Sequence, residues 1–152
     1  MDKISSKTLS RLAAIQSSFQ TFFDNSSLDQ ISNQFNEHRY NKVLEKSSIK
    51  LKYNKKYYDE LILFINKFTI NNDINEFFTK YLKIKRPYKR LDNIVKAILI
   101  VGSSEILNNK DIKKKIIIND YIIISKLFLE KSEVSFINAI LDNIYETKKK
   151  IE

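Results

Sequence analysis

The chain has 152 residues, 43% of them hydrophobic, with 27 Lys and Arg against 18 Asp and Glu, a formal charge of +9, and no cysteine. That length suits one domain with enough apolar mass to fold uncrosslinked, and the missing thiols exclude a disulfide framework, Cys-based zinc sites and thiol chemistry. A single glycine (Gly102) and a single proline (Pro87) leave almost no hairpin turns, which argues against an all-β chain and for an all-α one.

In chain order, the first helix is expected over about Ser5 to Phe23, where Leu12, Ile15, Phe19, Phe22 and Phe23 recur at helical spacing before an Asp24-Asn25-Ser26-Ser27 stop. A second, weaker segment, Leu28 to Glu45, keeps Leu28, Ile31, Phe35 and Val43 on a diluted 3.6 period, and Lys46 to Asn54 reads as a connector. Tyr58, Leu61, Ile62, Ile65 and Phe68 then form a clear stripe on a helix over about Lys55 to Phe68. Asn71-Asn72-Asp73 can cap a short helix carrying Ile74, Phe77, Phe78 and Tyr81, followed by a basic loop, Lys83 to Arg90, around Pro87.

Leu91 to Leu107 is apolar nearly all round and belongs in the centre, with Gly102 marking a close helix crossing. The isoleucine triplets at 116–118 and 122–124 favour strand by propensity. A lone strand pair would have no sheet to join, and Ile118, Tyr121, Ile122, Ser125 and Leu129 keep a 3.6 period, so a helix over Ile116 to Glu130 is expected. The last helix should begin near Ser132 and bury Val134, Ile137, Leu141, Ile144 and Tyr145, with Lys148-Lys149-Lys150 trailing into solvent.

Four blocks stand out: Arg11-Leu12-Ala13-Ala14-Ile15-Gln16 with an aromatic at Phe19, Ala97-Ile98-Leu99-Ile100 through Glu105-Ile106, Ile118-Asn119-Asp120 through Lys126, and Phe136-Ile137-Asn138-Ala139-Ile140-Leu141-Asp142. Together they resemble the transcription antitermination factor NusB family. Their order and gaps also fit. The resemblance implies about seven helices in two small bundles packed roughly perpendicular, an N-terminal part of about 1–85 and a C-terminal part of about 86–152. It also implies an RNA-binding factor that, with ribosomal protein NusE, binds single-stranded boxA-like RNA in the RNA polymerase antitermination complex, notably on ribosomal RNA operons. The chain departs from the family pattern at Val95, where an acidic residue is common, and at Ile100, where an arginine is.

Lys3, Lys7 and Arg11 recur every four residues and would make one basic ridge on the first helix, able to track phosphates or simply to stay solvated. The family uses this region for RNA. Phe136 lies about 100° of helix rotation from Ile137 and off the buried stripe, so beside Lys131 it could stack on a base or pack in the core. The resemblance favours the base. Lys114 and Lys115, within a run of three lysines, would add phosphate contacts or form a solvated charge run. Phe19 and Val95 fall where the family binds its protein partner, while Asn119 and Asn138 read as structural amides.

Enzymatic chemistry lacks its parts: there is no Gly-rich phosphate loop, no base beside a nucleophile and no donor cluster for a metal or other cofactor, with Glu105 and Asp120 scattered. A methyltransferase, which accompanies NusB-like domains in some proteins, is not expected on a length of 152 residues. No run approaches the roughly 20 apolar residues of a membrane span, and no isolated basic amphipathic helix suggests a membrane partner, so a cytoplasmic protein is expected. The alternative is a divergent interaction module that keeps the bundle without specific RNA binding, or a homodimer.

Overall fold

A computed structural model describes residues 4–43, 49–82, 86–110 and 113–151, leaving aside the side chain of Lys114. Among these residues lie seven α-helices: α1 Ser6–Gln20, α2 Leu28–Gln34, α3 Lys55–Asn71, α4 Ile74–Thr79, α5 Asn93–Asn108, α6 Lys114–Ser125 and α7 Lys131–Ile151.

Four helix starts are set by short polar side chains that accept an otherwise unpaired backbone N–H. Ser5 accepts from Thr8 N (3.1 Å), Asn54 from Tyr57 N (3.0 Å) and Asp73 from Glu76 N (3.0 Å). Ser27 and Gln30 bond reciprocally in a capping box.

α1 ends at Gln20, three residues before the expected stop. Phe22 and Phe23 therefore leave the helical azimuth of Leu12 and Ile15 and lie exposed instead of joining the buried stripe. The second segment is shorter still. After α2 the backbone widens into a π-turn at Phe35–Arg39, and Asn41 takes a left-handed φ of 66°, a conformation asparagine tolerates better than most residues. The helix stops there, and Val43, expected on its buried face, is exposed in an isolated antiparallel bridge to Lys50. Part of the connector, 44–48, lies outside the described residues, but its end places Leu51 and Tyr53 in the core.

The isoleucine triplets are helical as expected, but α6 ends at Ser125, five residues before the expected Glu130, and beside Ile118, Tyr121 and Ser125 it buries Ile117 and Ile124, while Ile122 and Leu129 are only half-buried. α7 buries Val134, Ile137, Leu141 and Ile144 but continues to Ile151, and Lys148 donates to the Ile106 carbonyl (2.6 Å) instead of trailing free.

α5 is the central post, packed against α1, α3, α6 and α7. A methyl group on Gly102 would meet the Leu141 side chain at 3.0–3.1 Å, so the missing side chain sets the α5–α7 approach. Leu141 is itself fully buried and has little room to move. Gly102→Val should therefore lose about 2 kcal/mol in urea unfolding through overpacking. Gly102→Ala should be nearer neutral, because its gain in helix propensity of about 1 kcal/mol offsets the tight contact.

Candidate nucleic-acid interface

The basic ridge expected on α1 divides. Lys3 lies outside the described residues. Lys7 is exposed in the first turn of α1, with its ammonium 5.2 Å from the centre of the Tyr57 ring. Arg11, one turn on, points inward and is only 2% exposed, so it is not the solvent-facing phosphate contact its spacing suggested.

The reason lies in two acids that sequence separation had hidden. Glu105, fully buried on α5, accepts Nε and Nη2 of Arg11 on its two oxygens (2.8 and 2.7 Å). Asp120 on α6 pairs with Nη1 and accepts the Thr8 hydroxyl (2.8 Å). Tyr121 donates its hydroxyl to Glu105 (2.7 Å), and Tyr57 does the same while accepting Arg11 Nη2 (2.8 Å). The network thus ties α1, α3, α5 and α6 through one guanidinium.

Burial by itself would lower the Arg11 pKa, but the hydrogen bonding and charge of Glu105 outweigh it, and the group is held protonated more firmly than usual. Burial first, and the Glu105 charge second, push the Tyr57 and Tyr121 hydroxyls above their ordinary range. The network therefore behaves as a permanently charged brace that fixes where α1 presents Lys7.

At the other end of α5, Phe136 is half-buried against the core, and the Arg86 guanidinium covers its ring at 4.1 Å while pairing with Glu133. The ring is therefore neither free nor sealed. Lys131 is exposed at the start of α7 and Lys115 in the first turn of α6; Lys114 falls in that same turn, but its side chain lies outside those described.

Helix directions set the distance between these groups. Arg11 faces Glu105 and Phe22 lies by Lys96, so α1 runs antiparallel to α5. Gly102 faces Leu141 and Ile106 meets Lys148, so α7 runs alongside α5 in the same sense. Lys7 is then level with residue 109 and Phe136 with residue 97, about 18 Å apart along α5 at ~1.5 Å per residue. Lys7 and Phe136 thus stand as two separate stations along α5.

Of the residues expected to meet a protein partner, Val95 is 1% exposed and packs in the core. A valine on the inward side of a central helix cannot present a face, so that assignment is corrected. Phe19 is half-buried, with its ring 5.1 Å from that of Phe23. Asn119 and Asn138, expected to satisfy helix backbone, are exposed on a shallow groove between α6 and α7, together with Lys115 and Asp142. Among the described residues no three His, Asp or Glu side chains converge as a metal site would need, and no helix is long and apolar enough to cross a membrane.

The architecture and sequence have clear relatives. The chain is similar to the transcription antitermination protein NusB of Caulobacter vibrioides (28% identical, covering 94% of each chain) and to that of Rickettsia bellii (29% identical, covering 98% of this chain and 96% of the other). Its structure is similar to T. maritima NusB with a TM-score of 0.70 at 26% identity, covering 95% of this chain and 93% of that one. The NusB family model matches residues 8–146, from within α1 to within α7, and the chain belongs to the NusB family.

Proposed function

We propose that this chain is a transcription antitermination factor that binds boxA-like single-stranded RNA together with ribosomal protein NusE, as part of the RNA polymerase antitermination complex on ribosomal RNA operons. The observation that carries the reading is the family match over residues 8–146. The +9 charge and the exposed Lys7, Lys115 and Lys131 support it, because cations held on a rigid bundle can follow a phosphate backbone. An unpaired base would stack on Phe136 by taking the place of the Arg86 guanidinium over its ring. RNA reaching both stations would run about 18 Å along α5.

The test is a titration of boxA-containing RNA, with and without NusE, against a scrambled RNA. Affinity should fall as salt rises, and replacing Lys7 and Lys131 by glutamine should lower the slope of log K against log salt by roughly 1.4, about 0.7 per lost contact on a single strand. Equal slopes would remove both lysines from the interface. Retained NusE binding with no RNA binding would instead favour the divergent interaction module.

A further inference from the structure

Seven of the twelve α6 residues are apolar, and they do not all face the core. Ile117, Ile118, Tyr121 and Ile124 face the core, but Ile116 is 56% exposed, Ile123 43% and Leu127, just past the helix end, 45%. At 100° per residue these three fall within about 20° of one line, a stripe about 16 Å long. Isolated exposed isoleucines, such as Ile70, need no explanation; an aligned row of three does.

The charges around the stripe identify its occupant. Lys113, Lys115 and Lys126, on α6 and at its two ends, are exposed, while Asp120, the acid within α6, is taken up by Arg11 and Thr8, and among the described residues the one exposed acid that follows is Glu130. We propose that the outer face of α6 is a docking surface for an acidic amphipathic helix of another protein, which would lay leucine-type side chains along Ile116, Ile123 and Leu127 and carboxylates against Lys113 and Lys126. A second copy fits worse. Two-fold pairing sets Lys113 near the other copy's Lys126 if the helices run antiparallel and near its Lys113 if they run parallel, like charge on like either way, in a chain already at +9. A lipid surface fits worse too, because the opposite side of α6 is committed to the core and the helix cannot sink.

The experiment uses the full chain and a fluorescein-labelled 18-residue peptide probe that is helical, with leucines on one face and glutamates elsewhere. Its control is the same composition with the leucines dispersed. Binding read by anisotropy should be at least tenfold tighter for the amphipathic probe, and Ile123→Ser with Leu127→Ser should abolish that preference while leaving circular dichroism unchanged. Because both sites are exposed, these variants should fold. Equal binding of both probes, or a preference that survives the double variant, would overturn the proposal. So would concentration-dependent dimerisation or flotation with phosphatidylserine vesicles lost in the same variant. A drop in boxA RNA affinity in that variant would assign the stripe to the RNA surface and overturn it as well.

Discussion

Replacing Arg11 by methionine is expected to destabilise the fold by about 3–5 kcal/mol, the usual consequence of leaving one member of a buried ion pair behind. Glu105 is fully buried and would keep only the Tyr57 and Tyr121 hydroxyls as donors, while Asp120, nearer the surface, can rehydrate. The penalty therefore falls mainly on Glu105. If so, Arg11→Met combined with Glu105→Gln, which removes both charges but keeps an acceptor for the two tyrosines, should recover at least half of the loss. Urea unfolding of the two single variants and the double variant closes the cycle. A loss below about 1 kcal/mol for Arg11→Met would mean that the network is not a brace. The same variant separates scaffold from contact. Under conditions where it stays folded, its RNA binding should keep the parent's salt slope, because a guanidinium enclosed by two carboxylates releases no counterion.

That network also shows what a sequence can and cannot reveal. The buried stripe of α3 and most of that of α7 were legible because each helix carries its own periodicity, and Gly102 could be assigned to a close crossing because only a tertiary contact justifies glycine in mid-helix; in α6 the stripe was read only in part, with Ile117 and Ile124 buried where Ile122 and Leu129 were expected. Arg11 could not be read this way. Its period-four spacing from Lys7 places it on a basic ridge, whereas its fate depends on Glu105 and Asp120, roughly a hundred positions away. Val95 misled for a related reason: alignment with a family position carries an expected role, but a valine turned into the core carries only packing. Phe22 and Phe23 were lost to a helix end that came three residues early, a shift sufficient to move a ring from core to solvent. The apolar outer face of α6 was visible in the isoleucine triplets, but periodicity alone could not tell which side lacked a neighbour.

Alkaline pH should unfold the protein in one steep step. Tyr53, Tyr57, Tyr58, Tyr88 and Tyr121 are all buried, and burial is the foremost reason their hydroxyls are pushed above the ordinary value of about 10. The sign follows from which state holds the proton. Above pH ~10 the unfolded chain releases these protons and the folded chain keeps them, so stability present below that pH is lost as pH rises, by up to ~1.4 kcal/mol per unit for each tyrosine. Five such groups remove several kcal/mol per unit from a domain whose total stability is about 5–15 kcal/mol. Unfolding within one to two units above pH ~10 follows. Tyr57 and Tyr121 make the step sharper, since either phenolate would face the buried Glu105 carboxylate. Phenolate absorbance and helical circular dichroism should therefore change together, and Tyr88→Phe should move the midpoint upward, because the Tyr88 shift comes from burial alone. A gradual titration of all eight tyrosines with helix intact past roughly pH 12 would show that these hydroxyls ionise in the folded state, and that burial does not hold them neutral.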